Sequence, residues 1–454
     1  MTRSWTLGLA ERLGPGRLVV DGDILSAHAR DHAQFAESGA AAALVRAREV
    51  EDVVTTLRFA SRHRIPVVTR GAGTGLAGGA NAQDGCILLS LAAMNRILEL
   101  DLAGRTATVE AGVLNGTLAA AAREEGLFYA PDPASRDIST IGGNVATNAG
   151  GACCLKYGVT RDHVLALTAV TADGEIIQTG GKSRKNVAGL DLTRLLVGSE
   201  GTLAVVVEAT VRLLPAPPPA STLVAFFDDL SGGGRGIQSM LAREHLSLVE
   251  VMDRTTVRAV EAMAPMELDT SAACMVLVQS DAESSDAVMQ RCEGLATRAG
   301  ASAVFHTDDP DEGKMLLKAR SLALPALERM GSAFLDDVAA PVSALVELLE
   351  VCEGAGRRHD VTVGTFGHAG DGNLHPTLVF EPGNARAEAR ARAAFDDIVE
   401  GALALGGTVS GEHGVGSLKR PYLDRMIGRR ERALMRGVKA AFDPEGILNP
   451  GRGF

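Results

Sequence analysis

Three segments made almost entirely of small residues interrupt the first half of the chain. The first, Val67–Gly79, leaves a short apolar strand and places five glycines within nine residues. The second, Pro131–Gly151, and the third, Gly198–Leu203, are equally poor in side chains that could pack a core. Ordering glycine is entropically unfavourable unless the backbone must approach another group closely. We therefore predict that the three segments line one large, elongated ligand.

The first loop contains the spacing G-x-G-x-x-G at Gly73, Gly75 and Gly78. In a nicotinamide-binding Rossmann fold, a helix begins inside this motif. Here the chain stays polar as far as Gly85 and then enters a strand, with no amphipathic pattern between them. The sequence thus disfavours the Rossmann interpretation and favours a nest of backbone N–H groups around a pyrophosphate.

A second group of polar residues lies in the C-terminal half of the chain. His368 and His375 fall within eight residues, and Glu412 stands beside His413, each pair among glycines. Two imidazoles and a carboxylate suit Zn²⁺, Mn²⁺ or Fe²⁺. We predict His368, His375 and Glu412 as metal ligands and His413 as a general base. A histidine-lined turn without metal, or His413 as a fourth ligand, are the alternatives.

Composition excludes several classes of protein. The chain has 454 residues, too many for one ordinary core, and a net charge of −11 without a basic run, which disfavours nucleic acid as a partner. Its six cysteines form no C-x-x-C pair, which argues against iron–sulfur and zinc-ribbon sites, and we expect them to be reduced and buried. We detect neither a signal peptide nor an apolar run of membrane-spanning length. A cytoplasmic protein is expected, and peripheral contact with the inner membrane through a partner is left open.

The apolar patterns indicate an α+β protein with more than one domain. Strands and helices alternate in the first half, and the proline cluster Pro215–Pro219 cannot continue a sheet. Two strand–helix–strand repeats follow and indicate one antiparallel sheet. We predict a first domain at 1–215, a substrate- and metal-binding domain at 216–440, and a tail at 441–454 that returns to the first domain.

The three small-residue segments together resemble the FAD-binding domain of the vanillyl-alcohol oxidase / p-cresol methylhydroxylase superfamily, across residues 40 to 215. The resemblance implies a two-part FAD-binding domain, and FAD held non-covalently because the first loop contains no histidine for a covalent link. The residues that it implies around FAD are Arg70, Gly71, Ala72, Gly73, Thr74, Gly75, Pro131, Asp132, Ser135, Thr140, Ile141, Gly142, Gly143, Asn144, Thr147, Gly150, Gly151, Tyr157, Glu200, Gly201, Val206 and Asn449.

The histidine motifs resemble the C-terminal domain of FAD-linked D-2-hydroxy-acid dehydrogenases, a group with D-lactate dehydrogenases, the flavin subunit of glycolate oxidase and D-2-hydroxyglutarate dehydrogenase. In that family the two motifs supply metal ligands and base. By the same resemblance Asn373 is a substrate-facing amide, and Arg320 binds the substrate carboxylate, a task suited to its bidentate shape. Leu335 stands where the hydroxyglutarate enzymes carry a lysine, which favours glycolate or D-lactate as substrate.

The expected reaction is metal-assisted oxidation of the hydroxy acid to a 2-oxo acid. His413 would remove the hydroxyl proton, and hydride would pass from C2 to flavin N5. Electrons would leave to an unidentified acceptor or partner subunit. The alternatives are a D-2-hydroxyglutarate dehydrogenase, a non-redox flavoenzyme of the alkyl-glycerone-phosphate synthase type, and a non-catalytic FAD-binding subunit.

Overall fold

A computed structural model describes residues 5–183 and 185–454. The chain folds into two compact units, each assembled from separate stretches of sequence. Unit 1 comprises the residues up to Gly150, then Gly158–Ala216 and Glu412–Phe454, and unit 2 comprises Gly151–Tyr157 and Pro217–Gly411. These units differ from the predicted domains in three places: residues 151–157 belong to unit 2, and residue 216 and residues 412–440 belong to unit 1.

The strands of the described chain are β1 (Leu18–Val19), β2 (Ala43–Arg46), β3 (Val67–Arg70), β4 (Ile87–Ser90), β5 (Ile97–Asp101), β6 (Thr106–Glu110), β7 (Leu127–Phe128), β8 (Val164–Val170), β9 (Ile176–Gly180), β10 (Val205–Arg212), β11 (Leu214–Pro215), β12 (Ser221–Phe227), β13 (Leu248–Asp253), β14 (Cys274–Ser280), β15 (Ala301–Thr307), β16 (Ser332–Leu335), β17 (Val338–Ala339), β18 (Thr362–His368) and β19 (Asn373–Phe380).

The helices of the described chain are α1 (Trp5–Ala10), α2 (Gly22–Ala27), α3 (Val50–His63), α4 (Asn115–Glu124), α5 (Ile141–Thr147), α6 (Cys154–Tyr157), α7 (Thr160–His163), α8 (Leu192–Leu196), α9 (Leu230–Leu241), α10 (Arg254–Met263), α11 (Ser285–Ala299), α12 (Pro310–Ser321), α13 (Ala323–Glu328), α14 (Leu345–His359), α15 (Ala385–Ala404), α16 (Leu423–Met426) and α17 (Arg429–Phe442), with 3₁₀ turns at Val342–Ala344 and Arg420–Tyr422.

Unit 1 contains two principal sheets. The four-stranded sheet has the order β1-β2-β4-β3, in which β4 runs parallel to both of its neighbours. Helix α3 packs on this sheet through apolar residues such as Val53, Leu57 and Ala60, with acidic residues in its first turn and basic residues in its last, as the helix dipole favours. The five-stranded sheet has the order β5-β6-β10-β8-β9 and is antiparallel throughout.

The C-terminal residues of unit 1 extend its parallel sheet. Leu448 forms a parallel bridge to Val67 on β3, and the backbone N–H of Asn449 donates to the carbonyl of Val67 at 2.8 Å. Ile447 and Leu448 are buried in the core beneath α3. The last residues of the chain therefore complete the unit that contains the first ones.

Unit 2 is built on one antiparallel sheet of eight strands. Its order is β15-β12-β14-β13-β18-β19-β16, and β17 pairs with β19 beyond this path. Directly paired residues of an antiparallel sheet lie on the same face, so Met252, Phe366 and His375 share one face, as their pairing shows. The strand–helix–strand repeats predicted from sequence are β12-α9-β13 and β14-α11-β15, and the predicted α+β architecture is confirmed.

The Pro131–Gly151 stretch contributes to the core, although its composition suggested that it has too few side chains to do so. It contains helix α5, whose first turn is capped by the hydroxyl of Thr140 accepting from Gly143 N at 3.2 Å. Ile141 and Val145 pack from this helix into the core of the five-stranded sheet. Two apolar side chains spaced one turn apart suffice to anchor a helix among residues too small to pack elsewhere.

The six cysteines are all free thiols, and Cys153 and Cys154 are only partly buried. Burial raises the pKa of Cys86 to about 11, and the pKa values of Cys274 and Cys292 to about 12 each. These three thiols are therefore protonated and unreactive near neutral pH. Within the described residues, no helix is both long enough and apolar enough to cross a membrane.

Candidate functional site

The three small-residue segments meet inside unit 1. A Cβ at Gly71, in the first loop, would lie 2.3 Å from the hydroxyl of Thr140 in the second segment. The amide nitrogen of Asn449 donates to Gly79 O at 3.0 Å and to Glu200 O at 2.6 Å, which joins the first segment to the third. Only glycine permits such close approach. The segments thus form one cradle, as expected if they bind a single ligand.

Arg70 lies beneath the first loop rather than on its surface. It is 8% exposed, and a Cβ at Gly73, whose φ is +76°, would lie 1.9 Å from its Nη2 atom. Burial lowers the pKa of Arg70, and the nearby charge of Asp31 opposes that effect. The guanidinium therefore places a buried positive charge directly under the glycine loop, where it favours an anionic ligand such as a pyrophosphate.

Several polar atoms near this cradle are buried without a partner among the described residues. They include the side-chain nitrogen of Asn144, the carbonyl oxygen of the Asn449 side chain and the hydroxyl of Thr69. Buried polar groups are nearly always hydrogen-bonded in folded proteins. A polar cofactor with several donors and acceptors would satisfy these atoms, so the residues present fit FAD.

Four residues predicted around FAD are placed differently from the rest. Gly151 and Tyr157 belong to unit 2, where the hydroxyl of Tyr157 donates to Asp281 and Lys156 forms an ion pair with the same carboxylate. Ile141 and Val206 direct their side chains toward the core of the five-stranded sheet. Among the residues predicted to contact FAD, Ile141 and Val206 therefore have side chains that pack in the protein core.

Glu412 and His413 lie in unit 1, on a loop that Glu200 holds. The carboxylate of Glu200 accepts Val415 N at 2.8 Å and Gly416 N at 2.7 Å. Burial raises the pKa of Glu200, while these two hydrogen bonds lower it. The loop also approaches the second small-residue segment, since a Cβ at Gly150 would lie 2.5 Å from Glu412 Oε2. Glu200 thus anchors the loop with a side chain that the sequence predicted to contact FAD.

His368 and His375 lie in unit 2, on the neighbouring strands β18 and β19. His368 pairs with Asn373, and Phe366 pairs with His375, so the four side chains form one patch of the sheet. The two imidazole rings are perpendicular with centroids 5.1 Å apart, and both are buried. The tight turn between the strands, with Gly372 at φ +80°, brings together histidines that are seven positions apart.

Glu250 on β13 lies next to His368 and was not predicted from sequence. Its side chain is 1% exposed, and its Oε1 atom lies 2.5 Å from His368 Nδ1. Its Oε2 atom accepts the Nε–H of Arg320, at the end of α12. Burial alone would raise the pKa of Glu250, but the charges of Arg320 and His368 and their hydrogen bonds lower it to about 2. Glu250 is thus a buried anion with two hydrogen-bond donors.

Arg320 is not the exposed helical arginine that its local sequence suggests. Its side chain is 16% exposed, and its guanidinium lies 4.6 Å from the ring centroid of Phe366, a cation–π arrangement. Among the described residues, Glu250 is its hydrogen-bond partner, through Nε. Both terminal nitrogens are therefore available for a further anion.

Asp337 forms a second buried carboxylate in the same patch. Its Oδ1 atom accepts the side-chain N–H of Asn373 at 2.7 Å, and its Oδ2 atom accepts the hydroxyl of Ser410 at 2.7 Å. The Nδ1 atom of His375 lies 4.0 Å from Oδ1. Because the amide nitrogen of Asn373 also donates to Val338 O, a substrate contact by Asn373 would use its carbonyl oxygen.

Neither Glu250 nor Asp337 was predicted as a site residue from the sequence, although one signal pointed to Glu250. Glu250 interrupts the apolar run Leu248–Met252, and a charge at a central position of a buried strand is tolerated only when it is paired. The partners themselves could not be read from the sequence, because Arg320 and His368 lie 70 and 118 positions away.

The comparisons with known proteins agree with this geometry. The sequence matches the family described as "FAD binding domain" over residues 41–180 and the family described as "FAD linked oxidases, C-terminal domain" over residues 216–452. Glycolate oxidase subunit GlcD of Bacillus subtilis (strain 168) is 41% identical over 416 residues, which cover 91% of this chain and 88% of that protein. D-lactate dehydrogenase of Anaerostipes hadrus is 34% identical over 459 residues, which cover 97% of this chain and 95% of that protein.

Among solved structures, p-cresol methylhydroxylase superposes with a TM-score of 0.79 at 17% identity, covering 98% of this chain and 95% of that one. This likeness shows that the two proteins share a fold. The relatives in sequence span nearly the full length of both proteins. The chain therefore belongs to the FAD-linked oxidases, enzymes that combine an FAD-binding domain with the C-terminal domain of that family.

Proposed function

We propose that this enzyme oxidises a small D-2-hydroxy acid, glycolate or D-lactate, to the corresponding 2-oxo acid with FAD as the immediate electron acceptor. The observation that carries the proposal is the patch in unit 2, where one buried carboxylate, Glu250, contacts both Arg320 and His368. An anion-binding arginine beside two imidazoles suits a substrate with adjacent carboxylate and hydroxyl groups. Relatives named as glycolate oxidase and D-lactate dehydrogenase support the same substrate class.

We further propose that His368, His375 and Glu412 hold one divalent metal ion, Zn²⁺ or Mn²⁺, with Fe²⁺ as the alternative. The two imidazoles fit such an ion. Nδ1 of His368 contacts the buried carboxylate of Glu250 at 2.5 Å, whereas Nδ1 of His375 lies 4.0 Å from Asp337 Oδ1, beyond hydrogen-bond distance. The contact with Glu250 favours Nε2 of His368 as the donor to a metal, the arrangement that metal-binding histidines commonly show. A bound metal would act as a Lewis acid that lowers the pKa of the substrate hydroxyl.

The remaining roles belong to side chains of this chain. The terminal nitrogens of Arg320 bind the substrate carboxylate as a fork. His413 accepts the hydroxyl proton, a role that suits an imidazole near neutral pH. Asn373 orients the substrate through its carbonyl oxygen. The flavin, when bound, supplies the hydride acceptor, and the protein's task is to hold the substrate in line with it.

A short substrate is favoured over a dicarboxylate by the surroundings of Leu335. This residue is buried at the end of β16 and pairs with Thr377, two positions from His375 on the same face of β19. An aliphatic side chain there cannot pair with a second carboxylate. D-2-hydroxyglutarate remains the alternative substrate.

We also propose that electrons leave through a partner protein. The relative from Bacillus subtilis is named as a subunit, which supports this proposal. A test is to measure reduction of the flavin with and without candidate acceptors after mixing with substrate.

The central test is anaerobic mixing of the FAD-loaded enzyme with glycolate, D-lactate, L-lactate and D-2-hydroxyglutarate. We expect glycolate or D-lactate to bleach the flavin absorbance, with L-lactate inactive. A non-redox flavoenzyme, or a non-catalytic subunit, would be bleached by none of the four.

The base is tested by His413→Ala in the same experiment. We expect flavin reduction to slow by about 100-fold or more, as loss of a general base commonly does. His359→Ala serves as the matched control, because this histidine, on α14 of unit 2, pairs with Asp397 and has no role in the proposed reaction. Reduction of the His413→Ala flavin at the wild-type rate would refute the assignment.

A further inference from the structure

Glu250 has a position that neither ordinary packing nor a simple ion pair accounts for. It stands in the middle of β13 among apolar neighbours, with a side chain that is 1% exposed. Burying a carboxylate is costly unless it is paired, and apolar residues of similar size commonly replace a buried ion pair without loss of stability. The charge of Glu250 therefore does not favour folding, and its presence in the middle of a buried strand needs another explanation.

Glu250 has two partners in unit 2, His368 and Arg320. Both have direct roles in the proposed reaction, one as a metal ligand and the other as the group that binds the substrate carboxylate. One oxygen faces Nδ1 of His368, and the other accepts the Nε–H of Arg320. We propose that Glu250 is a positioning residue that prepares the metal ligand and the substrate-binding arginine at the same time. This inference rests on the proposed function.

The first effect concerns the tautomer of His368. A carboxylate can only accept hydrogen bonds, so the proton of a neutral imidazole facing it must be on Nδ1. The lone pair then lies on Nε2, the atom left to bind a metal. A carboxylate behind a ligating histidine also fixes the ring orientation and makes the nitrogen a better donor.

The second effect concerns the direction of Arg320. Glu250 takes the Nε–H, and the ring of Phe366 supports the face of the guanidinium at 4.6 Å. The planar group is therefore held at its inner edge and on one face, while both terminal nitrogens stay available. A guanidinium that is already held in position loses less conformational entropy when it binds a substrate carboxylate.

The test is Glu250→Gln in the full-length, FAD-loaded enzyme. The amide keeps the shape, but its single acceptor oxygen cannot serve two donors. We expect the affinity for Zn²⁺, measured by competition with a chelator, to fall about 10- to 100-fold. We also expect the Kd for glycolate or D-lactate, from the concentration dependence of anaerobic flavin reduction, to rise at least tenfold.

Asp253→Asn is the matched control, because it makes the same change on the same strand. Its carboxylate accepts the backbone N–H groups of Thr256 and Thr365, each at 2.8 Å, and the hydroxyl of Thr256, none of which has a role in the proposed reaction. We expect this variant to bind Zn²⁺ and substrate within about threefold of wild type, whatever stability it loses. Equal effects of the two variants would show that Glu250 acts through general folding, and would overturn the inference.

Arg320→Met separates the two effects. We expect it to weaken substrate binding as strongly as Glu250→Gln does, while Zn²⁺ affinity changes less than about threefold, because the contact between Glu250 and His368 remains. Loss of Zn²⁺ affinity in Arg320→Met to the level of Glu250→Gln would contradict separate roles for the two oxygens.

A measurement on the wild type covers the case in which Glu250→Gln does not fold. Nitrogen-15 NMR of the metal-free enzyme reports which ring nitrogen of each histidine carries the proton, and His368→Gln assigns the signal. We expect the proton of His368 on Nδ1; a proton on Nε2 would refute the inference. If wild type binds no metal and no hydroxy acid reduces its flavin, the proposed function fails instead.

Discussion

At the scale of single residues, Gly73 is constrained twice. Its φ of +76° is a left-handed conformation that side chains rarely adopt, and a Cβ there would lie 1.9 Å from Arg70 Nη2. The first constraint comes from the backbone conformation of Gly73, and the second comes from the guanidinium of Arg70 beneath the loop. They can be separated, because other glycines of the chain have only the first constraint.

Gly73→Ala is therefore expected to lose FAD as well as stability. Relative to wild type, we expect FAD affinity to fall at least tenfold, measured by flavin fluorescence on titrating the apoprotein. Gly16→Ala is the control, since Gly16 has φ +73° and nothing within 4 Å of the added Cβ. The control should lose only about 1 kcal/mol of stability and keep its FAD. Equal FAD loss in both variants would show that the contact with Arg70 is irrelevant.

The residues recognised from sequence and those missed differ in a physical respect. The glycine loops and the histidine motifs could be recognised from local composition, because the residues of each predicted site lie close together in the sequence. Glu250 and Asp337 are solitary acidic residues whose meaning depends on partners from distant strands and helices. The role of Arg320 was available only by resemblance, since its position on α12 looks like any exposed helical position.

At the scale of elements, the loop after Gly411 is held by a side chain from another loop. Both carboxylate oxygens of Glu200 are occupied by the N–H groups of Val415 and Gly416. Glu412 and His413 precede Val415 by three and two positions, with Gly414 between. The position of the proposed base therefore depends on Glu200, whose own backbone is held by Asn449 and by the carbonyl of Ala146.

Glu200→Gln tests whether this side chain anchors the loop or contacts FAD. An amide presents one acceptor to two N–H donors, so we expect a loss of about 1–3 kcal/mol in stability. We expect FAD content near the wild-type level but flavin reduction by substrate at least tenfold slower.

Glu208→Gln is the matched control, because an amide oxygen can still accept the hydroxyl of Thr168, now bound at 2.9 Å. This variant should retain both FAD and the rate of reduction. If Glu200→Gln instead purified without FAD, the direct contact predicted from sequence would be the better account.

Elements with a regular apolar period were predicted closely, and irregular ones were not. Helix α3, Val50–His63, has buried positions that recur at the helical spacing, and such a pattern predicts a helix from the sequence alone. Helix α5 has only Ile141 and Val145 to mark it, and its glycines suggested a loop. Its C-terminal end is set by Asn148 in the left-handed conformation, with φ +54°.

At the scale of the whole molecule, the cradle predicted to bind FAD and the two histidines belong to different units. Arg70, Thr140, Glu200 and Asn449 all lie in unit 1, whereas His368 and His375 lie in unit 2. The third proposed metal ligand, Glu412, lies in unit 1. Because none of the three proposed metal ligands is among the residues predicted around FAD, we expect cofactor binding and metal binding to respond separately to removal of either group.

Treatment with a chelator is expected to abolish oxidation of the hydroxy acid without releasing FAD. The visible flavin spectrum and the FAD content should remain within about 10% of the untreated enzyme, and added Zn²⁺ or Mn²⁺ should restore the rate, because the metal supplies Lewis acidity rather than structure to the cradle. Full activity in enzyme shown by elemental analysis to lack metal would contradict the proposed metal site. Release of FAD on chelation would show that the two sites are coupled.

The parallel bridge between Leu448 and Val67 has a consequence for how the protein is made. During synthesis, the segment that flanks β3 emerges from the ribosome long after β3 itself, which is among the first strands of the described chain to appear. The residues of unit 2, 151–157 and 217–411, are all present in the nascent chain before that point. Domains generally fold as units, N-terminal ones first. Here the order is reversed: unit 1, which contains β1 to β11, is complete only once the residues around Leu448 have been synthesised, and all residues of unit 2 precede them.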